Sequence, residues 1–268
     1  MVKIADLHTH STASDGQYTP AQLVRLAKER GLEALALTDH DTLDGLEEAV
    51  RTGRELGIQV LRGVELGAKE NLHILGYGFS PDAPGLRKLC ASMKEGRDQR
   101  KYRILDFLRE KGLALTLEEV EEIAGGNIIG RPHFAQAMVK RGYVSSNREA
   151  FGRYLDTEEY GKIERQKPDM RTCVETLRGA GARVSLAHPY QLPEDELETL
   201  VCTLAGYGLD ALECYYPRHT PEQQAYYLRL ADKYHLHITG GSDFHGERVK
   251  PDISLAALSL ELDWLTGN

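Results

Sequence analysis

Residues 6–16 read DLHTHSTASDG and follow directly on a short apolar segment, KIADLH, which is typical of a β-strand. Side chains alternate between the two faces of a strand, so His8 and His10 are predicted to share one face. Asp15 follows five residues later. Two histidines with this spacing can be a chance pair at the surface, a buried pair in the core, or half of a metal site. The other motifs of the chain distinguish between these three possibilities.

Short apolar strands alternate with helical segments over most of the chain. The first helix, TPAQLVRLAKERG, begins with the capping residue Thr19, has Pro20 in its first turn and ends at Gly31. Repeated strand–helix units predict a parallel sheet, and about seven of them favour a closed barrel. An open doubly wound sheet is the alternative, but no G-x-G-x-x-G follows the first strand.

The alternation is interrupted between about Pro84 and Lys167 by a charged, helix-forming segment. We therefore predict an α/β fold in three parts: barrel over 1–84, a helical insertion over 85–167, and barrel again over 168–268. The insertion carries basic residues at Arg97, Arg100, Lys101 and Arg103. Such a run is more often a solvated face than a ligand site, but it would also suit a cap over an anionic substrate.

Potential metal ligands recur at or near the ends of the predicted strands. In a strand–helix barrel these ends meet at one mouth, where active sites are built. Imidazole and carboxylate groups without thiolates suit Zn²⁺, Mn²⁺ or Fe²⁺, and three or four protein ligands hold one ion. The candidates therefore predict two or three ions, with Glu65 as a bridging carboxylate; they are His8, His10, Asp39, His40, Glu65, His73, His188, Asp243 and His245.

The composition narrows the class of protein. The 268 residues carry a formal net charge of −8, which argues against a broad surface for duplex DNA but permits a local phosphate pocket. The four cysteines form no C-x-x-C pair, as expected for reduced thiols. No signal peptide and no apolar run of ~20 residues are evident, so we expect a cytoplasmic protein without a membrane or an obligate protein partner.

Taken together, the motifs resemble those of the PHP (polymerase and histidinol phosphatase) superfamily, and most closely its stand-alone metal-dependent phosphoesterases. The resemblance rests on DLHTHSTASDG, TDHD, GVE, HILGYG, AHP, GGSDFHG and, in the insertion, GRPH at 130–133. It implies a distorted (β/α)7 barrel with a trinuclear metal centre. It further implies one ion held by His8, His10, Glu65 and Asp243, a second by Glu65, His73 and His188, and a third by Asp15, His40 and His245.

No ligand position is substituted, so a non-catalytic member of the family is not expected. Hydroxide bridging two ions across Glu65 would attack phosphorus, and manganese is the expected metal, with zinc or iron as alternatives. Asp15, Asp243 and His245 would act in catalysis with Glu65 through these ions. Asp39 is expected to orient one of the metal-binding histidines, because such imidazoles usually donate their other N–H.

The substrate is predicted less sharply. Arg131 and His133, in GRPH, could bind a phosphate group, although a helix start explains the same residues. Arg218 and His219 are weaker candidates at another strand end. The resembling enzymes include phosphatases that remove the 3′-phosphate of 3′,5′-bisphosphonucleotides and 5′→3′ exonucleases on short RNA. This chain departs from them at 158–168, EEYGKIERQKP, which leaves the nucleotide preference open.

The leading hypothesis is therefore a phosphatase acting on a small phosphorylated nucleotide. Hydrolysis of a cyclic phosphodiester, a short oligonucleotide or histidinol phosphate would keep the chemistry and change the substrate. A C–N hydrolase of the amidohydrolase type uses similar barrel-end ligands, but the extra Asp15–His40 pair favours phosphate. From a different class, the chain could be a metal-binding accessory module of a polymerase.

Overall fold

The computed structural model describes residues 2–124, 129–163 and 167–266. The chain forms two compact units, one made of residues 1–91 with 167–268 and the other of residues 92–166. No helix in the described ranges is long and apolar enough to cross a membrane.

The first unit contains an eight-stranded sheet in the order β7-β6-β5-β4-β3-β2-β1-β8. This confirms the predicted α/β barrel of the PHP type. The strands are β1 (Val2–Thr9), β2 (Ala34–Leu37), β3 (Gln59–Gly67), β4 (His73–Tyr77), β5 (Arg183–Leu186), β6 (Ala211–Tyr215), β7 (His237–Gly240) and β8 (Leu258–Glu261).

The sheet is mixed, which corrects the prediction of a parallel one. β4 runs antiparallel to both β3 and β5, and β8 runs antiparallel to β1, whereas the other neighbouring pairs are parallel. Only residues 68–72 join β3 to β4, too few for the crossover that a parallel pair requires. As a result, His73 at the start of β4 pairs with Gly67 at the end of β3, and so lies at the mouth.

β1 is the seam of the barrel. Its first half, Val2–Ala5, pairs with β8. A β-bulge interrupts β1 between Asp6 and Thr9, and the second half of the strand bonds to the segment after β7: the Asp243 N–H donates to the His8 carbonyl (2.8 Å) and the His10 N–H to the Phe244 carbonyl (2.9 Å). Bulges at barrel rims re-aim side chains, and this one contains His8 and lies just before His10.

Helices surround the sheet of the first unit. They are α1 (Pro20–Glu29), α2 (Leu46–Leu56), the start of α3 (Pro84–Glu110), α8 (Met170–Gly179), α9 (Glu194–Tyr207), α10 (Pro221–Lys233) and α11 (Asp263–Thr266). α1 begins with a capping box between Thr19 and Gln22, as its sequence indicates. Apolar residues of five strands, including Leu7, Leu61 and Tyr77, form a buried cluster.

The second unit consists of helices and connecting turns, with no strand among its described residues. It contains the rest of α3, then α4 (Leu117–Ala124), α5 (Arg131–Lys140), α6 (Asn147–Ala150), a π-helical turn (Phe151–Leu155) and α7 (Glu158–Gly161). It has its own core, in which Leu108, Val120, Phe134, Met138 and Leu155 are buried. The boundaries at 84 and 167 stay a prediction.

Asp6, a fully buried carboxylate of β1, ties this seam together. It accepts hydrogen bonds from the backbone N–H groups of His8 (3.2 Å), Ser242 (2.9 Å) and Ala256 (2.8 Å), and from the Ser242 hydroxyl (2.5 Å). Burial raises the pKa of Asp6 to about 6, against the lowering effect of these bonds. Asp6 therefore joins β1 to two segments that lie more than two hundred residues away in the chain.

We expect Asp6→Ala to lower the free energy of unfolding by about 3 kcal/mol or more, because it leaves several buried donors without an acceptor. Urea denaturation measures this. Asp232→Ala, at an exposed position of α10, is the matched control and should change stability by less than about 0.5 kcal/mol. A loss below about 1 kcal/mol for Asp6→Ala would contradict the role of Asp6 in closing the seam.

Candidate metal centre

The structure brings the sequence-predicted ligands together at the mouth of the barrel. Their potential ligand atoms form three groups, in each of which all atoms lie within 4.8 Å of one another. The groups are His8, His10, Glu65 and Asp243; His40, Glu65 and His73; and His10, Asp15, His40 and His245. His188 adjoins the second group, with its Nε2 3.0 Å from Glu65 Oε1.

Glu65 lies at the centre of the cluster and is fully buried. Its Oε1 is 2.8 Å from His73 Nδ1, on the reversed strand β4. Its Oε2 is 3.0 Å from His40 Nδ1, 3.2 Å from His10 Nε2 and 3.3 Å from His8 Nε2. A single carboxylate thus faces imidazoles from β1, from the segment after β2 and from β4.

Several polar atoms of the cluster are buried without a hydrogen-bond partner in the described chain: His8 Nε2, both ring nitrogens of His10, and Glu65 Oε2. Buried polar groups in proteins are almost always hydrogen-bonded, so orphaned ones ask for an explanation. Imidazole nitrogens and carboxylate oxygens are ligands for divalent transition metals. The donor set therefore fits the metal ions that the sequence predicts.

The carboxylates and histidines stabilise each other's charged forms. Burial alone lowers the pKa of His10, but Asp243 and Glu65 outweigh it and raise that pKa to about 9. Burial raises the pKa of Glu65, yet the neighbouring histidines hold it well below its usual range. The cluster thus stabilises positive charge at its centre. Bound metal cations would supply that charge in place of the protons on these imidazoles.

Glu213 orients two of the histidines, and sequence reasoning missed it. Its Oε1 lies 3.0 Å from His8 Nδ1, and its Oε2 accepts a hydrogen bond from the His188 backbone N–H (2.6 Å). With Nδ1 of His8 bonded in this way, the Nε2 lone pair faces Glu65. The signal in the sequence was a lone acidic residue inside the apolar strand ALECY.

Asp39 does not have the role predicted for it. Its carboxylate accepts hydrogen bonds from the hydroxyls of Ser11 (2.7 Å) and Ser14 (2.6 Å) and from the Ser11 N–H (2.8 Å). The described structure gives it no histidine partner. Asp39 instead anchors the loop that carries Asp15, because the hydroxyl groups of Ser11 and Ser14 in that loop occupy its carboxylate oxygens.

Asp243 is held by residues that the motifs did not reveal. The Tyr216 hydroxyl and the Lys250 ammonium donate to its Oδ2, at 2.9 and 2.6 Å. Its backbone lies in the left-handed region, with φ of 56°. Such strain is found where the surroundings over-determine a functional residue. A side chain at Gly241 would come within 2.4 Å of His8 Cβ, so only glycine lets this segment approach β1.

The predicted phosphate ligands have other partners within the described residues. Arg131 begins α5 and pairs with Asp156 (2.6 Å), and His133 Nδ1 accepts a hydrogen bond from the Gly130 N–H (2.9 Å). These contacts also fit the helix-start alternative. Arg218 pairs with Asp252 (3.1 Å). His219 Nδ1 lies 3.0 Å from the Cys214 carbonyl, and burial lowers its pKa. Of the unusual segment 158–168, residues 164–166 lie outside the described residues.

We expect Glu213→Gln to weaken metal binding by about 10- to 100-fold, because the amide cannot accept from both His8 and the His188 N–H. Competition between the protein and a chelator for Mn²⁺ or Zn²⁺ measures the affinity. Glu29→Gln, at an exposed site of α1, is the control and should leave the affinity unchanged. Unaltered affinity in a folded Glu213→Gln protein would remove Glu213 from the centre.

Comparison with known proteins agrees with this geometry. Two solved structures superpose on nearly the whole chain, each 30% identical in sequence. One, named an amidohydrolase, comes from Chromobacterium violaceum and holds sulfate (TM-score 0.79; 96% of this chain, 91% of that one). The other, named a metal-dependent phosphoesterase, comes from Bifidobacterium adolescentis (TM-score 0.78; 97% and 93%).

Three curated relatives align over about nine-tenths of this chain. A 5′-3′ exoribonuclease of Haemophilus influenzae is 34% identical, over 91% of both chains. A phosphoribosyl 1,2-cyclic phosphate 1,2-diphosphodiesterase of Eggerthella lenta is 36% identical (91% and 95%). A 3′,5′-nucleoside bisphosphate phosphatase of C. violaceum is 32% identical (90% and 86%). The PHP domain matches residues 6–163. The chain therefore belongs to the PHP family and is a metal-dependent hydrolase.

Proposed function

We propose that this chain hydrolyses a phosphate monoester of a small phosphorylated nucleotide, such as the 3′-phosphate of a 3′,5′-bisphosphonucleotide. The observation that carries the proposal is the buried Glu65 carboxylate, which faces His8 Nε2 and His10 Nε2, two buried nitrogens without a hydrogen-bond partner in the described chain. The names of the curated relatives, all of which cleave phosphate esters, support this chemistry over C–N hydrolysis.

The proposed centre holds three divalent ions, manganese in the first place and zinc or iron as alternatives. His8, His10, Glu65 and Asp243 would hold one, Glu65, His73 and His188 a second, and Asp15, His40 and His245 the third. The proximity of the ligand atoms supports these sets, and His10 also lies within reach of the third. When bound, such ions activate water and neutralise charge on a transferring phosphoryl group.

The burial of the ligands indicates from which side the substrate arrives. His8, His10 and Glu65 are completely buried, whereas the side chains of Asp15, His73 and His40 are 35%, 24% and 19% exposed. The accessible part of the cluster is thus formed by Asp15, His73 and His40. A phosphate group would meet this part first, with the buried ligands behind it.

Other side chains of the protein orient the proposed metal ligands and neutralise part of their charge. Ser11 and Ser14 both donate their hydroxyl protons to Asp39, which leaves them as anchors of the loop and not as nucleophiles. Lys250 brings a positive charge to Asp243, and Tyr216 fixes the same carboxylate oxygen. Both contacts hold the Asp243 carboxylate in a fixed orientation, as a proposed metal ligand requires.

A second candidate function is hydrolysis of a cyclic phosphodiester. The 36% identity to the cyclic phosphate diphosphodiesterase of E. lenta favours it. Exonuclease activity on short RNA and histidinol-phosphate hydrolysis are further alternatives with the same chemistry. In each case we propose Arg131 and His133, and more weakly Arg218 and His219, as residues that bind the substrate phosphate.

The activity itself is tested with the metal-loaded protein on 3′,5′-bisphosphonucleotides, cyclic phosphates, short RNAs and histidinol phosphate. We expect the fastest release of phosphate from a bisphosphonucleotide. Asp243→Ala should reduce kcat by about 10³-fold or more and lower the metal content, because a ligand and its charge are lost.

Asp232→Ala serves as the control and should retain both activity and metal. Full metal occupancy without turnover of any phosphate ester would show a metal-binding accessory module instead of an enzyme. Retained activity in Asp243→Ala would refute the ligand assignment.

Arg131→Ala should lower kcat/KM on bisphosphonucleotides by about 10- to 100-fold with the metal content unchanged, because a charge-assisted contact to phosphate is lost. Steady-state kinetics with metal analysis measures both. Arg148→Ala, at an exposed position of α6 in the same unit, is the control. A parallel loss of metal, or kinetics equal to those of the control, would count against the phosphate-binding role.

A further inference from the structure

A cavity of about 600 Å³ on the first unit shares no residue with the metal cluster. Four arginines from three parts of the chain line it: Arg51 and Arg54 on α2, Arg62 on β3, and Arg87 at the start of α3. The volume is within the range of small-molecule sites. In a protein with a net charge of −8, four guanidinium groups around one cavity call for a physical account.

Three of these guanidinium groups are unpaired. Within the described residues, the side chains of Arg51, Arg54 and Arg62 have no hydrogen bond or ion pair, and Arg62 is half-buried in the middle of a strand. Arg87 is fixed by two hydrogen bonds to the Pro81 carbonyl, at 3.2 and 2.7 Å. Arg51 and Arg54 are exposed and can stay hydrated, whereas burying part of Arg62 without a partner costs free energy, which an anionic ligand would offset.

The cavity follows from the irregular topology of the barrel. β3 and β4 are joined by a short connection and not by a crossover helix, and α2 packs on β3. Leu61 belongs to the buried cluster of the strands, and Arg62 therefore faces the opposite side. On α2, Glu47, Arg51 and Arg54 are spaced at i, i+4 and i+7 and share one helix face.

The remaining lining residues narrow the class of ligand. Asp44, Glu47 and Asp82 also line the cavity, so its formal charge is only slightly positive, and carboxylates recognise hydroxyl groups. Leu43, Val50 and Phe79 add apolar surface. We propose that this cavity binds a nucleoside monophosphate, with the arginines on the phosphate, carboxylates on the ribose hydroxyls and the apolar surface against the base.

Isothermal titration calorimetry of the full-length, metal-loaded protein tests this with three probes: AMP, ribose 5-phosphate and inorganic phosphate. We expect AMP to bind at a site that Arg62→Gln and Arg54→Gln each weaken by at least about tenfold. Arg25→Gln, an equally unpaired arginine on α1, should have no effect. His10→Gln, in the metal cluster, should keep this binding event, which separates it from binding at the centre.

Circular dichroism establishes that each variant, including His10→Gln, is folded, and metal content is compared for the cavity variants. The exposed Arg54 provides the test if Arg62→Gln does not fold. Unchanged AMP affinity in both cavity variants would overturn the proposal, as would loss of all AMP binding in His10→Gln. Equal affinity for AMP and inorganic phosphate would overturn the nucleoside part of it. The proposal does not depend on the proposed hydrolysis, because binding is measured without turnover.

Discussion

The whole cluster depends on the burial of one carboxylate. Glu65 is inaccessible to water, yet histidines surround it from several strand ends and hold its pKa well below the ordinary range. A buried charge is tolerated only when opposite charge compensates it. The protein therefore has to supply positive charge at this point, either as protons on imidazoles or as metal ions, and the surrounding ligands are arranged for the second.

The irregular parts of the barrel, more than its regular strands, position the ligands around Glu65. The bulge in β1 contains His8 and lies just before His10, and the reversed strand β4 brings His73 beside Glu65. Left-handed backbone at His188 and Asp243 turns two further ligands towards the cluster. Each departure carries a cost that hydrogen bonds from Glu213, Asp6 or neighbouring backbone offset.

Much of the fold and the ligand types could be predicted from the sequence. Strand alternation places His8 and His10 together, and the clustering of histidine and carboxylate at strand ends indicates metal chemistry. The direction of β4 could have been suspected from the short connection before it, but periodicity alone does not report strand direction. The residues that orient the ligands were harder to predict. Glu213 and Lys250 belong to no motif, and Asp39, which we expected to bond to a histidine, bonds to two serines instead.

The seam at β1 also bears on how the protein is made. His8 and Asp243 are parts of one ligand group, but the whole chain between them must be synthesised before they can meet. Closing so long a loop has an entropic cost and slows folding. The centre is therefore completed late, after the ribosome has produced β7 and the segment beyond it. A nascent chain interrupted before that point lacks Asp243 and His245 and so cannot complete the ligand set.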